Sequence, residues 1–112
     1  MIPQMYKELI DKLKNATEQK KITWNATSRD TEYMVKLGSS MVTTDKWLVG
    51  SVYFVDIAIW NSNGDKVSSI SYSQDGKHND DFQEVLSLYM AAHDSYLKVD
   101  ETIAEIMSNL DF

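Results

Sequence analysis

Two histidines with carboxylate neighbours are the first places to look for chemistry. His78, Asp80 and Asp81 share the polar run SQDGKHNDD at 73–81, with Asp75 close by. Histidines and carboxylates ligate metals, but zinc sites use three or four well-spaced protein ligands, and the spacing also misses the calcium-loop pattern. The run reads as a solvated loop in which Asn79 or Asp80 caps the helix that follows. His93 directly precedes Asp94, with Tyr89 and Tyr96 nearby. A histidine paired with a carboxylate can act as a general base. Adjacent helical residues point in different directions, so the spacing predicts a surface histidine and no self-contained dyad. Ser39, Ser40, Ser68, Ser69, Ser71 and Ser73 supply hydroxyls, but none sits in a G-x-S-x-G elbow. The glycines are scattered and build no phosphate cradle. With no cysteine there is neither thiolate chemistry nor a disulfide framework. The pattern contains no catalytic constellation and calls for no metal or cofactor.

The aromatics are the better hint. Trp47, Phe54, Trp60 and Tyr72 are more than one small core readily holds. Exposed together, they would form an apolar patch rich in the residue types that dominate binding hot spots. The alternative is that helices cover both faces of a sheet, or that the rings fill its edges. Basic residues do not interleave with them, which argues against a stacking platform for single-stranded nucleic acid.

Charge supports that exclusion. The chain of 112 residues has a net charge of −6, and Arg29 is its only arginine. Residues 75–112 hold nine acids and two lysines. Phosphate contacts need lysine and arginine, so an acidic third opposes nucleic-acid binding. It reads as a solvated helix face, with a DNA-like decoy surface as the sharper alternative. No segment has the ~20 apolar residues of a membrane span, and MIPQMYKELIDKLK is too charged for a secretory h-region. The expectation is one cytoplasmic domain over residues 1–112.

The positioning elements follow from periodicity. Ile2, Tyr6, Leu9, Leu13 and Ala16 form one stripe of a helix over 3–20, with Pro3 in its first turn and Lys20 and Lys21 at its C-terminal end. Ile22 to Trp24 reads as extended and 25–30 as loop. Tyr33, Val35 and Leu37 alternate as a strand. Gly38-Ser39 turns, 40–44 forms the next strand, and Thr44-Asp45-Lys46 turns into WLVGSVYFVDIAIW. In that stretch the odd row Val49, Tyr53, Val55, Ile57 and Ile59 should face the core. A strand at 51–60, a hairpin loop at 61–65 and a return strand at 66–73 complete the meander. Val67 and Ile70 differ in parity, so the return strand either bulges or turns one of them outward.

Phe82, Val85, Tyr89, Ala92, Tyr96, Val99, Ile103, Ile106 and Leu110 then form an unbroken heptad-like stripe. One helix over 80–110 would be about 46 Å long, against ~17–20 Å for typical strands. The expectation is a break near Lys98-Val99-Asp100, with Asp100 capping a second helix; the alternative is a continuous helix buried by a second subunit.

The tail LSLYMAAHDSYLKVDETIAEI, with Ile22-Thr23-Trp24 and the Asn61–Gly64 hairpin, resembles a group of short bacterial proteins ending in LY-x-x-A and L-x-V-D-E-T-I patterns. The resemblance implies an α+β fold of helix, sheet and C-terminal helix, with no assigned activity. Together these readings predict an α+β domain: an N-terminal helix, an antiparallel meander of four or five strands, and one or two C-terminal helices packed on it. The expected role is a non-enzymatic interaction or accessory protein, binding a protein partner or itself as a homodimer. The alternatives are an acidic decoy against a DNA-binding or defence protein, and a small-ligand-binding module.

Overall fold

The computed structural model describes residues 1–77 and 79–111; His78, part of the metal-loop reading, and Phe112 lie outside the described residues. The order is α1 (Gln4–Glu18), β1 (Asn25–Ala26), β2 (Glu32–Leu37), β3 (Ser40–Val49), β4 (Val52–Trp60), β5 (Lys66–Ser73), α2 (Asn79–Leu97) and α3 (Val99–Asn109). The five strands form one antiparallel sheet in sequence order, β1-β2-β3-β4-β5. The fold is thus α+β, as expected.

The register sorts the side chains into two faces. Val35 opposes Val42, which opposes Ile59; Tyr33 opposes Thr44, which opposes Ile57; Ile57 opposes Ile70. This row meets the helices. Tyr33, Val35, Val42, Val55 and Ile57 share one buried cluster with Ile10 and Leu13 of α1 and with Phe82, Val85 and Leu88 of α2. Two phenols pin the layers together. Tyr6 donates to Ser68 Oγ at 2.7 Å, and Tyr89 donates to the Thr31 carbonyl at 2.8 Å. Trp24 is fully buried, bonded to both α1 and α2: its indole N–H donates to Thr17 Oγ1 at 2.9 Å, that hydroxyl donates to the Leu13 carbonyl, and the Trp24 backbone N–H donates to Ser95 Oγ.

Several expectations need correction. The buried stripe of α1 is Tyr6, Ile10, Leu13 and Thr17, continuing Ile2; Ile10 and Thr17 join it, Leu9 packs half-buried at the edge of the cluster, and Ala16 is half-buried. Thr17 belongs inside because its hydroxyl is satisfied by Trp24 and by the backbone. There is no turn at Thr44-Asp45-Lys46. β3 runs straight through to Val49, and the hairpin turn falls at Gly50-Ser51, with Gly50 at φ +62. Glycine adopts that backbone at little cost. WLVGSVYFVDIAIW is therefore two strands, and its odd row is buried only at Val55 and Ile57, with Ile59 packed against the cluster. Val49 and Tyr53 overhang at the hairpin end and are exposed. The parity conflict in β5 is resolved by a register shift: Ile59 pairs Ser68 and Trp60 pairs Lys66, leaving Val67 bulged and exposed.

The C-terminal stripe breaks at Lys98, as expected. Lys98 takes a left-handed backbone, φ 55 and ψ 50, and α3 starts at Val99. Asp100 is not the cap: Lys98 occupies that position without a side-chain cap bond, and Asp100 lies in the first turn. α2 carries the packing, burying Phe82, Val85, Leu88, Tyr89 and Ala92. α3 leaves the end of α2 and buries no residue.

Candidate functional site

The sheet's second face carries no member of the buried cluster, and three of the four sequence-selected aromatics stand on it. Trp47 and Phe54 are cross-strand partners with ring centroids 5.7 Å apart and planes 11° from parallel. Trp60 stands at the other end of β4, donating its indole N–H to Thr43 Oγ1 at 3.0 Å with Lys66 Nζ 5.3 Å from its ring centre. All three are half-buried, so each lies down on its neighbours and keeps part of its surface in water. Tyr72 is not with them. It opposes Val55 on the helix-covered face and packs against the core, where burial, followed by the charges of Asp81 and Glu84, raises its phenol pKa. The four aromatics therefore do not form one patch, because Tyr72 has the parity of Ile70 while Phe54 and Trp60 have the opposite parity on β4.

Between the aromatic ends lies a carboxylate pair that the sequence reading did not single out. Asp45 and Asp56 are direct cross-strand partners. Asp45 is only 2% exposed; it accepts from Thr31 Oγ1 at 2.6 Å and pairs with Arg29 Nη2 at 2.8 Å. Asp56 accepts from the Asp45 backbone N–H at 3.0 Å. Burial, then the adjacent Asp45 charge, pushes Asp56 from the ordinary 3.8 to about 6. The pair is hidden in the sequence because Thr44-Asp45-Lys46 has the composition of a turn, whereas Asp45 lies within β3. The available signal was Gly50-Ser51, which offers the better turn and puts Asp45 opposite Asp56 once the hairpin is folded there.

The histidine readings separate. His93 Nδ1 lies 3.1 Å from Asp94 Oδ1, so the two do meet, contrary to the expectation from their adjacency. A short carboxylate swung along the helix surface closes the gap despite diverging Cα–Cβ directions. The His93 ring stands edge-on to Tyr33 at 5.9 Å, in a cluster with Tyr89 and Tyr96. Of the acidic loop, Asp81 sits near the start of α2, and Asn79 donates to the Gln74 carbonyl at 2.8 Å. Among the described residues no group of three or more histidines and carboxylates could hold a metal ion.

The other unsealed region is α3. Ile103, Ile106, Met107 and Leu110 are 51%, 55%, 59% and 64% exposed. The helix is tethered to α1 through Lys20, whose Nζ reaches Glu101 at 2.7 Å and Asp100 at 3.4 Å. Behind this tether a cleft of ≈ 610 Å³ opens between α1, α2 and α3, with Ile22, Met90, Ala91 and Val99 among its apolar walls and Lys14 and Asp94 among its polar ones. No helix among the described residues is long and apolar enough to cross a membrane. Compared with known proteins, the chain matches no family model, no curated protein and no solved structure.

Proposed function

We propose that the chain is a non-enzymatic interaction protein that engages a protein partner, another chain or a second copy of itself, through α3. One observation carries this: an eleven-residue amphipathic helix with no buried residue, whose Ile103, Ile106 and Met107 are half exposed or more. Exposed apolar groups gathered on one element mark interaction sites. Nothing in the fold demands such a helix for stability, since α1 and α2 already supply the buried cluster with the sheet. The half-buried Trp47–Phe54 stack and Trp60 offer a second contact area on the sheet face no helix covers.

The test is capture of partners, self included, by the full chain and by an Ile103→Ser/Ile106→Ser variant. The reading expects a defined partner, or a concentration-dependent dimer in sedimentation, that the variant loses. Identical behaviour of both proteins overturns it. A second reading, a small-ligand module, is favoured by the cleft behind Lys20, which has converging charged groups over an apolar floor. Ligand-induced NMR shifts confined to Met90, Ala91 and Ser95, with α3 unaffected, would favour that reading instead.

A further inference from the structure

Resting on the reading of α3 as a protein-binding surface, we propose that its occupant is a basic amphipathic helix of a different protein. Three observations specify that partner.

The first is shape. At about 100° per residue, Val99, Ile103, Ile106, Met107 and Leu110 fall within an arc of about 100° on α3. A straight apolar track of that width accepts the apolar face of another helix.

The second is charge. Residues 99–111 carry Asp100, Glu101, Glu105 and Asp111 and no lysine or arginine. Asp100 and Asp111 border the apolar track, while Glu101 and Glu105 stand on the far side. A second copy of α3 would therefore bring its own bordering carboxylates with no cation to meet them, and an anionic lipid surface would be repelled for the same reason. Length also counts against a second copy. α3 is about 16 Å long, and two such helices side by side fall short of the roughly 1,000 Å² expected of a specific interface. A longer foreign helix has somewhere to continue. Val99 belongs both to the α3 track and to the cleft wall, and beyond it Ile22, Met90 and Ala91 extend the apolar surface. There Glu18 and Asp94 share the lining with Lys14 and Lys98, so the charge preference lies at α3 and the cleft adds apolar area.

The third is an internal stand-in. Lys20 takes a left-handed backbone, φ 59, and its ammonium sits on Glu101 and Asp100. The chain thus already holds a cation at the first turn of α3, and lysines or arginines of a partner compete with Lys20 for Asp100, the one of its two carboxylates that borders the track.

The experiment is an NMR titration of the ¹⁵N-labelled full chain with two synthetic helical peptides of leucine and lysine, or leucine and glutamate, each about five turns long (about 18 residues). The lysine peptide is expected to shift amides of α3 and of the cleft around Met90 and Ala91. An Ile106→Ser/Leu110→Ser variant, altered only at exposed positions, should bind it at least about tenfold more weakly. A Lys20→Asn variant, which keeps a residue tolerant of the left-handed backbone and frees both carboxylates, should bind it several-fold more tightly. Equal binding of the glutamate peptide overturns the basic partner while leaving α3 a protein-binding surface. Lysine-peptide shifts centred on Trp47 to Trp60, or a dimer through α3 before any peptide is added, overturn the assignment of the occupant. Failure of both peptides to perturb α3, together with unchanged partner capture by the Ile103→Ser/Ile106→Ser variant, removes the underlying reading as well.

Discussion

α2 and α3 share one heptad-like stripe in the sequence and meet opposite fates in the fold. From Phe82 to Ala92 the stripe is sealed against the sheet. After the left-handed Lys98 the same periodicity continues with nothing over it. The sheet repeats the contrast: Val55 and Ile57 lie under helices, whereas Phe54 and Asp56, each one residue away, and Trp60 at the strand end stand half-buried on the face no helix covers. Periodicity states which side chains share a face. Whether that face is covered depends on how much surface the rest of the chain can offer, and a small sheet is used up within one helix length.

The contrast can be broken by stability measurements. Leu88→Ala empties a fully buried site and should cost about 2–5 kcal/mol in urea unfolding, whereas Ile106→Ala should stay within about 0.5 kcal/mol. A comparable loss at both sites would mean that α3 is covered in solution. On the face no helix covers, Arg29→Met leaves the buried Asp45 carboxylate without its cation. It should cost about 1–3 kcal/mol by thermal or chemical unfolding, the half-exposed guanidinium keeping the figure below that of a sealed pair.

Asp56→Asn sharpens the same point with the opposite sign. The folded-state pKa of Asp56 is raised from 3.8 to about 6, so its charge opposes folding above about pH 6, and that opposition is relieved as pH falls from about 6 towards 3.8. The asparagine variant should therefore be more stable than the parent by on the order of 1 kcal/mol at neutral pH, after allowance for solvent screening, with the gain vanishing near pH 4. A pH-independent difference would remove ionisation of the half-buried Asp56 carboxyl as its cause. The smallest effect belongs to Lys20→Asn. The unfolding midpoint should not move measurably, yet amide exchange across 99–109 should quicken, because the tether to Glu101 and Asp100 is lost while the core is untouched.

What the sequence reveals follows from where local chemistry decides. The hairpin after Trp60 is legible because Asn61 and Gly64 close it: the Asn61 side chain accepts from the Asn63 and Asp65 N–H groups, and Gly64 supplies φ +84. The break at Lys98 is legible only in part: length leaves a break or a second subunit open, and the Asp100 cap that favours the break is replaced by a left-handed Lys98. The Asp45–Asp56 pair is not, since it exists only once β3 and β4 are paired in the right register, and Thr-Asp-Lys looks like a turn in isolation. Tyr72 and Trp60 differ in face only through strand parity across a bulged hairpin, so grouping them by residue type mixed two environments. Thr17 gives no apolar signal and enters the core because Trp24, seven residues on, returns to its hydroxyl.

The register slip at Val67 has a consequence for how copies of this molecule meet. An open sheet has two outer strands whose backbone groups can recruit further chains into fibres. Here one border, β1, is two residues long and offers almost no template. The other, β5, is eight residues long, but Val67 swells out of line next to Lys66, so a strand approaching from outside finds a bent, charged end and serines along much of the remainder. The sheet is thereby finished at five strands.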